Sequence, residues 1–137
     1  MRSKLIIMKK IFTLCLCSLV IFLSGFSQSG TIDGAISALQ AGSASDLSRF
    51  FDNNVELTLP EKSDSYSKAQ AQIIIRDFFA NNGVKGFEVK HKSDNDQRGA
   101  YFIGNLMSNS GKYRTTVYMR ARGDKQVVKE IRFQMIE

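Results

Sequence analysis

The sequence predicts an α+β layer fold, with helices packed on one face of a curved, mainly antiparallel sheet. Three observations predict it. Short helical patterns follow an apolar leader, one long amphipathic segment begins near residue 67, and from residue 87 to the end the apolar period switches to two in four successive runs.

The leader comes first. Arg2, Lys4, Lys9 and Lys10 precede a run from Ile11 to Phe26 that is apolar apart from Thr13, Ser18, Ser24 and Gly25. This is the order of a signal peptide, and polar residues follow too soon for a permanent membrane span. Small residues place cleavage between about Gly25 and Gly30, and Met8, directly before two lysines, is a second candidate start beside Met1. The expected organisation is a signal peptide at 1–27 and one domain at 28–137, periplasmic or extracellular, touching membrane only through the leader before cleavage. Neither Cys15 nor Cys17 has the small residues before it that lipid attachment requires.

Removing the leader changes the chemistry open to the chain. Four of the 19 basic residues and none of the 13 acidic ones lie in it, so the net charge falls from +6 to about +2 and nucleic acid is not an expected partner. Both cysteines also lie in it. The domain therefore has no thiol for a disulfide, a nucleophile or a zinc site.

Along the domain, Ile32, Ala35, Ile36 and Leu39 recur at helical spacing before Gly42. Ser43 or Ser45 can cap a second helix, with Asp46 in its first turn and Leu47, Phe50 and Phe51 as its apolar side, ending in a turn at Asp52–Asn54. Val55, Leu57 and Leu59 alternate as a strand, and Glu61–Ser65 reads as a loop. Ser67 and Gln70 form a capping pair for the long helix, whose stripe is Ala71, Ile74, Ile75, Phe78 and Phe79 and whose stop is Asn82-Gly83. Four strands follow at 87–92, 100–108, 112–122 and 126–136, with a tight hairpin expected at Gly123-Asp124.

This order, with Tyr66-Ser67-Lys68-Ala69-Gln70, Asp77-Phe78-Phe79, Phe87-Glu88-Val89-Lys90-His91, Tyr101-Phe102-Ile103-Gly104 and Tyr113-Arg114, resembles an uncharacterised family of small exported bacterial proteins, a domain of unknown function. Its fold is the nuclear transport factor two-like, cystatin-like cone. The resemblance implies a cavity between helices and sheet and, commonly in that superfamily, a homodimer built on the sheet. Enzymes of the superfamily use a cavity Asp with Tyr or Asp as oxyanion donors. This chain departs from them: its first two helices carry no Tyr, and its last four strands carry no internal Asp.

His91, the only histidine, shares by alternation a strand side with Phe87 and Val89, which points it toward the helices. It is either an acid or base in the cavity or a hydrogen-bonded histidine at the rim of the core. Tyr113 is in phase with Thr115, Val117, Met119 and Ala121 on the inward row, whereas the facing of Tyr101 is open because Phe102 and Ile103 are both apolar. His91, Tyr101 and Tyr113 are thus the ligand-pocket candidates. Asp77 is expected on the solvated flank of the long helix.

On the outward row lie Lys90, Lys92, Arg114, Tyr118, Arg120, Arg122 and Arg132. They read as a solvated basic face, as a homodimer interface, or as a contact for an anionic surface, with Arg114, Tyr118, Arg120, Arg122 and Arg132 as the candidates. No phosphate loop, nucleophile elbow or metal-ligand cluster is present, and neither a catalytic residue, a metal nor a cofactor is assigned. The expected function is a non-catalytic exported binding or assembly module with a small-ligand pocket. The alternative is a small isomerase, lyase or hydrolase using His91.

Overall fold

The computed structural model describes residues 30–95 and 99–136, so the signal peptide expected at 1–27 lies outside the described residues. The elements run α1 (Thr31–Gln40), α2 (Ala44–Ser48), β1 (Phe51–Thr58), β2 (Ser63–Ser67), α3 (Lys68–Asn82), β3 (Val84–Asn95), β4 (Gly99–Ser108), β5 (Gly111–Arg122) and β6 (Lys125–Met135). They build one sheet in the order β2-β1-β6-β5-β4-β3. Every neighbouring pair is antiparallel except β1 with β6.

Local chemistry sets the helix ends. The Ser43 hydroxyl accepts from the Asp46 N–H at 3.1 Å and the Ser67 hydroxyl from the Gln70 N–H at 3.3 Å, each satisfying a backbone donor that the first turn leaves unpaired. At the far end of α3, Gly83 adopts φ 61°, the left-handed conformation that ends a helix and costs glycine least.

Two expectations are corrected here. Asp52–Asn54 is not a turn, because Phe51 already pairs with Val128 of β6 and the Phe50 carbonyl accepts from the Val128 N–H at 2.6 Å. The expected loop at Glu61–Ser65 contains the start of β2, an exposed edge strand paired with β1 from Thr58↔Ser63 to Asn54↔Ser67. An edge strand whose one contact with the core is the half-buried Tyr66 needs no apolar alternation, so its sequence shows none.

The core lies between the helices and one side of the sheet. Ala71, Ile75 and Phe79 of α3 and Ile32, Ala35, Ile36 and Leu39 of α1 meet Phe102 and Leu106 of β4, Val117 of β5, and Val128, Ile131 and Phe133 of β6. Each large apolar side chain buried here contributes roughly 1.5–3 kcal/mol. Gly104 sits in this inner row because the Phe87 ring and Glu88 carbonyl of β3 occupy the space a Cβ would need.

Beyond the shift at Val84/Gly86 near the start of β3, two register shifts set which side chains share a face. One falls between Val89 and His91 against β4, leaving Lys90 as the extra residue. The other leaves Lys129 of β6 extra: Tyr118 pairs with Glu130 but Met119 with Val128, and β1 shifts register against the same stretch. An extra residue reverses the facing of everything beyond it.

Candidate functional site

A mouth opens between the C-terminal half of α3, the β1–β2 connection and the ends of β5 and β6, with a volume of about 480 Å³. Leu59, Ile74, Phe78 and Met135 give it apolar walls, and Lys62, Asp77 and Asn81 stand at its polar rim. Phe78 is held by aromatic contacts, 4.9 Å from the Phe133 ring and 5.2 Å, edge-on, from Tyr113.

Of the three ligand-pocket candidates, only Tyr113 reaches this mouth. Its ring is buried and its hydroxyl donates to Asn82 Oδ1 at 2.9 Å, which also accepts from the Ser110 hydroxyl at 2.6 Å. The Asn82 amide donates in turn to the Phe78 carbonyl at 2.8 Å. This network ties the end of α3 to the β4–β5 hairpin and holds the tyrosine still.

His91 and Tyr101 lie on the opposite side of the sheet, which corrects the inward facing expected for His91. The extra residue Lys90 turns His91 to pair with Ile103 in the outer row, and Tyr101 belongs to that row because Ala100, Phe102 and Gly104 take the inner one. His91 Nε2 and the Tyr101 hydroxyl are 3.2 Å apart, and the Tyr101 and Tyr118 rings are 6.2 Å apart. The Arg132 guanidinium lies 5.6 Å from the Tyr118 ring centre. The result is a ladder of ring contacts and a cation–π contact crossing β3, β4, β5 and β6.

The same shift corrects Lys92, which turns inward to Asp33 of α1, 3.4 Å away. Lys90 pairs with Glu88 at 3.0 Å. Arg132 is bound to Glu130 at 2.6 Å, and that hydrogen bond raises its pKa further above the ordinary arginine value. Arg114 is exposed without an ion partner among the described residues. Asp77 is exposed, as expected, but lines the mouth, where it pairs with Arg76 at 3.2 Å.

Arg120 and Arg122 converge on Asp52, a residue that sequence reasoning missed. Its carboxylate accepts from Arg120 and from Arg122, each at 2.7 Å, and from the Asn53 N–H at 2.8 Å. The backbone hydrogen bond, joined by the two guanidinium charges, holds its pKa below the ordinary carboxylate value against the opposing effect of burial. Asp52-Asn53-Asn54 carries a turn-forming composition, and no local signal marks Asp52 as a partner for Arg122, 70 positions away. Asn82 reads in the sequence only as part of the helix stop with Gly83, a role that hides its place in the mouth, and nothing singles out Asn81.

A helix-covered, mixed but mainly antiparallel sheet open at one end defines a cystatin-like cone of the NTF2-like kind. The solved structure of an NTF2-like protein of unknown function from Cytophaga hutchinsonii shares this fold at TM-score 0.57 and 10% identity, over 81% of this chain and 94% of that one. The chain belongs to the family described as "Domain of unknown function (DUF4783)", whose model matches residues 32–134. Family members of known structure include one from Bacteroides uniformis, similar at TM-score 0.73 and 28% identity over 77% of this chain and 96% of that one. One from Bacteroides ovatus is similar at TM-score 0.72 and 28% identity, over 76% and 94%. No functionally curated protein matches the sequence.

Proposed function

We propose that this protein is an exported, non-catalytic binding module that holds a small amphipathic ligand in the cone mouth. The observation that carries this reading is the mouth itself: apolar walls formed by Leu59, Ile74, Phe78 and Met135 beside polar groups of Lys62, Asp77 and Asn81. Export rests on the leader pattern. The position of His91 across the sheet from the mouth takes away the group on which the enzyme alternative depended.

The test is thermal-shift screening of the purified protein against small amphipathic metabolites, repeated on Asn81→Trp and His91→Ala. Asn81 is exposed at the rim, so the indole would block the mouth without disturbing the core. A ligand at ten times its Kd adds about 1.4 kcal/mol, a rise of several degrees for a domain of this size. Stabilisation should survive in His91→Ala and vanish in Asn81→Trp. Stabilisation unchanged in Asn81→Trp, or lost in His91→Ala, would place the ligand elsewhere.

We also propose that a second copy pairs on the outer sheet face. Tyr118 is 37% exposed there, among the half-buried side chains of Tyr101, Ile103 and Met107 and beside the exposed Arg114. Light scattering should give a dimer that Tyr118→Asp converts to a monomer. A parent that is already monomeric at high concentration would end this reading.

A further inference from the structure

We propose that the cleft over Asp52, on the outer side of the sheet, binds a tetrahedral oxyanion, a sulfate or phosphate group. The cleft has a volume of about 320 Å³, and Arg120, Arg122, Lys129, Asn53, Asn54 and Ser65 line it above the Asp52 carboxylate, with Glu56 at its edge. Polar groups from β1, β2, β5 and β6 therefore meet in one depression.

Asp52 is the organiser of this cleft rather than a ligand-binding group. Its side chain is 8% exposed and both of its oxygens are taken, Oδ1 by Arg122 and the Asn53 N–H, Oδ2 by Arg120. A guanidinium has five N–H donors in a rigid fork, and the contacts with Asp52 leave most of them available on side chains that are each 52% exposed. One carboxylate thus fixes two cations side by side with donors toward solvent.

Lys129 supplies the third cation. It is the extra residue at the β6 shift, exposed and lining the cleft, and it has no ion partner among the described residues. Three cations face two carboxylates. One of these is saturated by the arginines, and the other, Glu56, lies close enough to Arg132 to raise its pKa. The local field is therefore positive. Donors arriving from separate strands suit the divergent oxygens of a tetrahedral anion, whereas a planar carboxylate is served by a single arginine fork.

The test is calorimetric titration of the purified protein at pH 7 and constant ionic strength with inorganic sulfate, inorganic phosphate, glucose 6-phosphate and acetate. Saturable binding of the tetrahedral anions and none of acetate is expected. Lys129→Ala should weaken it about tenfold, the loss of one charge-assisted contact, while Arg114→Gln, on the same face but outside the cleft, should leave it unchanged. Amide shifts on titrating the parent should centre on Asn53, Asn54 and Lys129, a readout that needs no variant. Tighter binding of glucose 6-phosphate than of phosphate assigns an ester carried on a larger molecule; equal or weaker binding assigns the free ion. Absence of saturable binding, or equal losses in Arg114→Gln and Lys129→Ala, overturns the site.

Discussion

Replacing Asp52 with Asn removes one charge and leaves the side-chain shape and one carbonyl acceptor in place. The structure sets the size of the effect. Two charge-assisted hydrogen bonds at 2.7 Å are lost or weakened, and bonds of that kind contribute roughly 1.5–3 kcal/mol each where they are fully sequestered. Here both arginines are 52% exposed and regain water, so the expected total is about 1–3 kcal/mol. Urea denaturation should show a lower midpoint with unchanged slope, the sign of lost stability without a change in the surface exposed on unfolding. The pH dependence adds a second check. The folded-state pKa of Asp52 lies below its ordinary value of 3.8, so the unfolded chain binds the proton more readily. The contribution is complete above that value and disappears as pH falls through the lower folded-state value. The gap between parent and variant should therefore be widest near neutrality and close in acid. A variant within about 0.5 kcal/mol of the parent at pH 7, or a gap that stays constant into acid, would refute the assignment of Asp52 as the electrostatic tie across β1, β6 and β5.

Gly104→Ala would drive a methyl into the Phe87 ring and the Glu88 carbonyl of β3; a loss of roughly 1–3 kcal/mol in thermal or urea melts is expected, and a neutral result would mean that β3 can move away. Tyr113→Phe leaves Asn82 with its Ser110 donor, so only about 1 kcal/mol should be lost by calorimetry. Deleting Lys90 removes the extra residue and leaves Val89 opposite Gly104 followed directly by His91 opposite Ile103 in the outer row; the nuclear Overhauser contact between the His91 and Tyr101 rings should persist, and its disappearance would show that Lys90 does more than stand out of the ladder.

What the sequence reveals about this fold divides along periodicity. The stripe of α3, the four late strands and the inward row of Tyr113, Thr115, Val117 and Met119 each bury apolar side chains at a regular spacing, and that spacing is written in the residues themselves. β2 sets only Tyr66 against the core, too little to make a pattern, and its pairing with β1 follows from the proximity of the two strands rather than from any alternation in Ser63–Ser67. His91 shows the same limit from the other direction. Alternation from Phe87 and Val89 is sound up to Lys90, where one residue leaves the ladder, and nothing in Val-Lys-His-Lys distinguishes an extra residue from a paired one. The Asp52 cluster is a third kind of case: Arg122 lies 70 positions from Asp52, and the two meet only because β5, β6 and β1 are neighbours in the sheet.

Two of the lysines left extra by register shifts, Lys90 and Lys129, also determine how the proposed activities relate. Without Lys90 out of register, His91 would face the helices with Phe87 and Val89; instead, the mouth is left to Tyr113, the asparagines and apolar walls, and the outer side gains the His91–Tyr101–Tyr118 ladder. Lys129 stands out of register in the stretch of β6 that lies between Arg120 and Asp52, where β1 also shifts register, and so lines the cleft over Asp52. A second copy seated on Tyr118 would lie two residues along β5 from Arg120, a spacing of about 7 Å, close enough to cover or reshape the cleft over Asp52. The mouth opens on the other side of the sheet and would be untouched. Pairing and oxyanion binding should therefore be coupled, each shifting the other by the same factor, whereas a ligand in the mouth should leave the monomer–dimer balance where it was.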